Sequence, residues 1–452
     1  MSQRLRLAGL LVSAVVIFWR LAASPLYYDE AIYGEVAKQT ANGHWVSLYW
    51  NGMPWFEKPP LFIWATALMF KVFGVSEFAA RSVSALSGLG VVVISYLTAK
   101  RLRGEVAGLV ASMILLTSQL FVFFSRFGAT DVLLTFFTIL GIYFFLKSAE
   151  DSRYWIGVGF AFACAVLTKG AAAVVGPLSV AVGVIVEQRV RTTIRDKNFW
   201  IAVVLAIVMA ASWHVTQYVL HGQTFVNVYL GLHLLQRSAS GKVFGGQQGW
   251  LFYLTVLFRG MMPWFLLFPF ALLLERDRRT VVLIACSVIT VGFFSILSTK
   301  FPWYVLPAVP PAAILISLML THLLQKHRRL LISAIVILAV FGFLKTFPGL
   351  LRLPSDVRPA ARLATIAARD SGVLITAPEQ IQDTVIYYSD RKVCTDATLN
   401  PLSYGYIQPC QLDEARHIIF TEAMRGEVES LYSIKVSRED SSVYYAEIIR
   451  KK

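Results

Sequence analysis

The feature that most constrains this chain is a series of about eleven apolar runs, most of them near the roughly 20 residues that carry a helix across a bilayer. They fall at about 7–24, 76–99, 106–124, 132–146, 155–167, 171–186, 199–220, 250–274, 281–297, 303–320 and 330–344. Composition agrees, since 56% of the 452 residues are hydrophobic and only 15% are Asp, Glu, Lys or Arg, against about 25% charged in a typical soluble domain. The pattern predicts a polytopic α-helical membrane protein with about eleven transmembrane helices. The short runs 155–167 and 171–186 flank Lys169-Gly170 and read either as two spans or as a pair that enters and leaves without fully spanning.

The net charge of +15 raises the question of nucleic acid, and its distribution answers it. Residues 1–347 carry +16 and residues 348–452 carry −1. Of the 29 Lys and Arg before residue 348, 17 sit in short links on one side of the predicted spans, which marks that side as cytoplasmic. No nucleic-acid partner is implied. The N-terminus is then inside, and an odd number of spans places both the first loop, 25–75, and everything after residue 347 outside. The first apolar run is interrupted by Arg20 and continues into Tyr27-Tyr28-Asp29-Glu30 rather than a small-residue cleavage site, so it reads as a span and not as a signal peptide. No Asn-x-Ser/Thr sequon occurs, in keeping with a bacterial inner membrane.

From residue 348 the composition becomes that of a soluble domain. Helical spacing at 356–369 and β-rich runs at 372–376, 417–420 and 442–449 predict a small α/β domain over 348–452. The predicted domains are therefore a transmembrane part, 1–347, that includes the outer loop 25–75, and an extracytoplasmic (periplasmic) α/β domain. Cys164 and Cys286 fall in apolar runs, whereas Cys394 and Cys410 share the oxidising outer compartment, where a disulfide is expected.

Ionisable residues at membrane level are costly and need a reason. Six acids lie outside the cytoplasmic links: Asp29, Glu30, Glu35, Glu57, Glu77 and Asp131. Four belong to the first outer loop, within Tyr27-Tyr28-Asp29-Glu30-Ala31-Ile32-Tyr33-Gly34-Glu35 and Phe56-Glu57-Lys58-Pro59-Pro60. Asp29 stands where a helix would start and is at least an N-cap. Lys58, held by two prolines at headgroup depth, is placed to grip a phosphate or to snorkel. Further polar residues at outer span ends are Arg126, Asp131, Lys169, His233, Arg237, Lys300 and Tyr304. Together they would surround an outward cavity rich in cations, suited to a substrate with a lipid tail, a phosphate and a group to transfer. A transporter is the competing class, but it predicts acids near mid-membrane and an internal repeat.

The ordered series Tyr28-Asp29-Glu30, Glu57-Lys58-Pro59-Pro60-Leu61, Arg126 to Asp131, Leu167-Thr168-Lys169-Gly170, His233 to Arg237 and Lys300-Phe301-Pro302-Trp303-Tyr304 resembles the GT-C membrane glycosyltransferases related to protein O-mannosyltransferases and the lipid A aminoarabinose transferase. The resemblance implies a GT-C fold. It also implies transfer of a sugar from a polyprenyl (undecaprenyl) phosphate to a lipid, glycan or protein acceptor on the outer face, lipid A or another cell-envelope glycan first. It makes Asp29 the proton acceptor, with Glu30 and Asp131 as the alternative carboxylates, and assigns the donor phosphate to Lys58, Lys169, Arg237, Lys300 and Tyr304. Tyr28, Tyr33 and Arg126 would line the site. Some relatives hold a divalent metal at positions matching Glu57 and His233.

Overall fold

The computed structural model describes residues 3–236, 239, 248–274, 277–324, 328–349, 357–371, 373–377, 381–394 and 415–451. The chain is a polytopic helical membrane protein with a small C-terminal mixed-sheet domain. Among the described residues six helices are long and apolar enough to cross a membrane, or up to eight if two sharply bent pairs are each one span. The bent pairs are Glu105–Leu116 with Gln119–Ser125, at 74°, and Phe252–Met261 with Trp264–Leu274, at 114°. Shorter apolar helices make up the rest, so the eleven expected runs are all helical, but not all reach full spanning length. Helices Tyr154–Lys169 and Val175–Val186 pack side by side. Phe162 of the first fills the space beside both Gly141 and Gly176, where a Cβ would come within 2.4 and 2.6 Å of its ring.

The chain forms two compact units. One comprises residues 1–19, 56–62 and 83–351 and holds most of the apolar helices; the other comprises 20–55, 63–82 and 352–452. Of the first outer loop, residues 25–55 and 63–75 thus group with the C-terminal segment, while 56–62 stay with the apolar helices. The reason is a set of polar contacts that sequence spacing does not reveal. Lys38, on the Asp29–Ala41 helix, donates to the Tyr387 carbonyl at 2.8 Å and to Asp390 at 3.1 Å, both at the end of helix Gln382–Ser389. Asn51, in the turn of a short hairpin, exchanges two hydrogen bonds with the backbone of Val393, pairing the edge of the sheet as a neighbouring strand would. Its φ of +51° is a left-handed conformation that Asn tolerates better than most residues.

The C-terminal sheet has five strands, in the order Val393–Cys394, Val373–Ala377, Ala415–Thr421, Val443–Lys451, Tyr432–Asp440. The first three are parallel and the last two antiparallel. Helix Val357–Ala367 and three of these strands match the expected elements. Strand Tyr432–Asp440 was not anticipated, because its Arg, Glu and Asp residues face outward along a mostly exposed edge. Cys164 and Cys286 are free and buried. Cys394 is disulfide-bonded, and Cys410 lies outside the described residues.

The unit's most deeply buried ion pair joins Arg81 to Glu30. The guanidinium donates to both carboxylate oxygens at 2.7 Å and to the carbonyls of Leu21, Ser24 and Pro25 at 2.8–2.9 Å. This fork satisfies the carbonyls where the chain leaves the first helix, and Glu30 is only 1% exposed. Glu30→Gln is expected to leave the buried guanidinium without its counter-charge, at a cost of about 3–5 kcal/mol. Thermal unfolding of the purified protein should show the loss, and an unchanged midpoint would mean that the pair contributes nothing to folding.

Candidate functional site

In the membrane-spanning unit a cavity of about 480 Å³ is lined by Glu57, Lys58, Lys169, His214, Tyr229, His233, Thr299 and Tyr304 among apolar side chains from several helices. The local sequence explains how each arrives. Pro59 and Pro60 follow Lys58 and lead into helix Leu61–Phe73, while Phe56 is fixed by edge contacts to His221 and Phe225 at 5.0 and 5.4 Å. The Lys58 ammonium lies 3.5 Å from the Glu57 carboxylate, and both side chains are largely buried.

Lys169 ends helix Tyr154–Lys169 and Asp131 begins helix Thr130–Ser148, so each charge complements the dipole of its own helix. The two form a buried ion pair. The Lys169 ammonium also lies 4.6 Å from the centre of the Tyr304 ring, a cation–π distance. Asp131 is therefore committed to holding Lys169 at the cavity wall. After Lys169 the chain turns at Gly170, whose φ is +56° and whose missing Cβ would lie 2.4 Å from the Tyr229 hydroxyl oxygen. Glycine is needed there both for the turn and for the close approach. Tyr229 sits beyond a break at Gly222, φ +55°, that ends the regular part of helix Lys197–Phe225.

His214 lies 2.7 Å from the Ala210 carbonyl through Nδ1 and 2.9 Å from the Tyr229 hydroxyl through Nε2. A carbonyl only accepts, so Nδ1 carries a proton, and in the neutral ring Nε2 accepts from Tyr229. Sequence reading missed His214, Tyr229 and Thr299. A histidine inside the apolar run 199–220 was the signal available for the first of them.

The remaining expected residues are placed as follows. Lys300 donates to the Leu297 carbonyl at 2.7 Å and adjoins Thr299, but is not itself a lining residue. Arg126 does not line the cavity either. It donates to the carbonyls of Val16 and Ile17 at 3.1 Å, satisfying acceptors left over at the end of the first helix. Arg237 lies outside the described residues. In the other unit, Asp29 is half-buried at the start of its helix and accepts from the Tyr33 hydroxyl at 3.3 Å. Tyr28 is exposed, whereas Tyr33 is buried against Trp55. Burial, then the charge of Glu30, pushes the Tyr27 phenol up to about 12, so it stays protonated.

Glu57 and His233 approach to 4.0 Å, but among the described residues no group of three His, Cys, Asp or Glu is arranged to hold a metal ion. Two donors, one already beside the Lys58 ammonium, do not fit an ion held by protein ligands alone.

Residues 57–215 match the family described as dolichyl-phosphate-mannose-protein mannosyltransferase. An undecaprenyl phosphate-alpha-4-amino-4-deoxy-L-arabinose arabinosyl transferase of Pseudomonas savastanoi pv. phaseolicola is 30% identical over 372 residues, covering 78% of this chain and 68% of the relative. The chain belongs to this family of GT-C membrane glycosyltransferases. An uncharacterised protein of Aquifex aeolicus is 28% identical over 67% of the chain, which spans 61% of that relative's length. Two further transferases, from Pseudomonas fluorescens and Shewanella sediminis, are spanned over only about half their length. In fold, the crystal structure of ArnT from Cupriavidus metallidurans bound to undecaprenyl phosphate superposes with a TM-score of 0.79 at 19% identity, covering 99% of this chain and 98% of that one. The archaeal oligosaccharyltransferase AglB from Archaeoglobus fulgidus gives 0.64 at 10% identity, over 97% and 74%. The GT-C fold is thereby shown.

The buried Asp131–Lys169 pair makes a prediction for this glycosyltransferase fold. Asp131→Asn should destabilise the protein by about 3–5 kcal/mol by stranding the ammonium, and Lys169→Met in the same chain should recover most of the loss. Thermal denaturation of the two single variants and the double variant measures the coupling; additive losses would show that the two charges do not depend on each other.

Proposed function

We propose that the protein transfers a sugar from a polyprenyl phosphate to an acceptor hydroxyl at the outer face of a bacterial inner membrane. The observation that carries the proposal is the cavity itself, with the Lys58 and Lys169 ammoniums set in mainly apolar walls. Such a site suits an anionic head on a hydrocarbon tail, and the relative named above is named for a sugar carried on undecaprenyl phosphate. In the reaction an acceptor oxygen forms a bond to the anomeric carbon as the bond from that carbon to the phosphate oxygen breaks. The departing phosphate gains charge, which Lys58 and Lys169 offset in a site with little bulk water, with Tyr304 holding Lys169 in place. The family resemblance adds Arg237 and Lys300 as further candidates for the phosphate.

The acceptor's proton goes to Asp29. Of the three candidate carboxylates, Glu30 is occupied on both oxygens by Arg81 and Asp131 is paired with Lys169. Asp29 instead accepts from the Tyr33 hydroxyl at 3.3 Å, and among the described residues it shows no ion pair. The favoured acceptor is lipid A or another envelope glycan. The family description of residues 57–215 supports a second reading, a protein Ser/Thr hydroxyl. Comparing envelope lipids, glycans and proteins from cells with and without the protein separates the two.

Asp29→Asn should bind donor lipid normally but turn over at least about 10²-fold more slowly. Lys58→Ala removes a contact made to the bound donor and to the leaving group, so binding and turnover should both fall. Donor binding and single-turnover transfer on purified protein measure both, with a polyprenyl-phosphate sugar active and nucleotide sugars inert. Near wild-type transfer by Asp29→Asn would remove it as the base. The proposed orientation is tested separately: a reporter active only outside the cytoplasm should be active when fused after Lys452 and silent when fused near Arg278.

A further inference from the structure

A second cavity, of about 640 Å³, lies in the membrane-spanning unit. Its walls come from the first helix at Gly9, from Val92 to Lys100 on the Glu77–Arg103 helix, from Leu109 and Ser112 on the next helix, and from Phe343. The Ser84 hydroxyl bonds to the Ala129 carbonyl, which places that point of the long helix level with Asp131 and the lysine-lined cavity. Val92 and Lys100 lie about 12 and 24 Å further along the same helix. The second cavity therefore occupies the opposite half of a hydrocarbon layer about 30 Å thick.

Its lining is almost wholly apolar, so it offers water too few partners to be held. Left unfilled, it would cost its walls their dispersion contacts. The face of the first helix beside it carries Leu10 and Val12, which are 45% and 56% exposed and so open to lipid. The far end is basic. Lys100 lines the cavity, with Arg101 and Arg103 in the same last turn. Glu105 and Glu150 approach Lys100 and Arg101, and Arg103 reaches the Leu318 carbonyl. Lys100, Arg101 and Arg103 put three positive charges in this turn, beside the two carboxylates of Glu105 and Glu150.

We propose that this cavity binds one acyl chain of an anionic glycerophospholipid from the leaflet opposite the transfer site, with the headgroup phosphate at Lys100. The tail fills the space between the first helix and its neighbours. The basic rim selects the head by about fivefold for each basic residue it engages. This site is independent of the donor cavity and of its chemistry.

The test uses the full-length protein in nanodiscs. A phosphatidylglycerol carrying a photoactivatable group on its acyl chain should label peptides spanning 92–100 or 109–116. Native mass spectrometry after mild delipidation should find one phosphatidylglycerol retained per protein, in preference to phosphatidylcholine of the same chains. Gly9→Phe places a ring in the cavity, since the nearest atom to a Cβ there is Leu109 Cδ2 at 4.0 Å; Ser112→Phe does so from the facing helix. Both should lose the retained lipid, and Lys100→Gln should lose only the preference. Labelling elsewhere, equal retention of the two phospholipids, retention by both Phe variants, or a polyprenyl phosphate as the retained molecule would each overturn the proposal.

Discussion

The constraint on which this structure depends is the cost of charge in a low-dielectric medium. An isolated ammonium or guanidinium at membrane depth is strongly disfavoured, yet this chain sets lysines into the mainly apolar wall of a cavity. The chain resolves the conflict by giving its buried charges partners before any ligand arrives. Lys169 has Asp131 and the Tyr304 ring, Lys58 has Glu57, and Arg81 has Glu30 with three carbonyls. The lysines of the first two pairs line a cavity. The third is closed on itself and serves the fold.

That distinction separates acids that look alike in sequence. Asp29 and Glu30 are adjacent, and both are exposed to the same arguments from composition and position. Only the structure shows Glu30 buried in a fork whose other half lies 51 residues later, while Asp29 remains half-buried beside a hydroxyl. The Asp131–Lys169 pair spans 38 residues and was equally hidden, because no local periodicity links two helix ends in different spans. Arg126 illustrates the same limit. Its place at an outer span end suggested a site residue, whereas its hydrogen bonds terminate the first helix.

What was legible was whatever depends on short stretches of chain. Apolar runs gave helices at the expected places, the soluble composition after residue 347 gave a mixed sheet, and alternating β-rich runs gave three of its strands. The bends did not show. Leu116 to Gln119 and Met261 to Trp264 lie inside single apolar runs, and the hydrophobicity that marks a span is blind to a turn of 74° or 114° within it. The grouping of most of the first outer loop with the C-terminal segment was also invisible, since Lys38 and Asn51 meet partners about 340 to 350 residues away.

Gly170 shows how backbone and side-chain requirements converge at the proposed phosphate site. A residue with a Cβ would be strained at φ +56° and would collide with the Tyr229 hydroxyl. That hydroxyl is itself pinned by His214, whose proton position is dictated by the Ala210 carbonyl. The chain of constraint thus runs from a helix carbonyl through an imidazole and a phenol to the turn that follows Lys169. Each link is a single hydrogen bond or contact of modest energy, but together they define where the ammonium's backbone can be. A cation positioned this way need not reorganise as charge develops on a leaving phosphate, and that absence of reorganisation is what makes a fixed donor in a dry site more effective than the same donor in water.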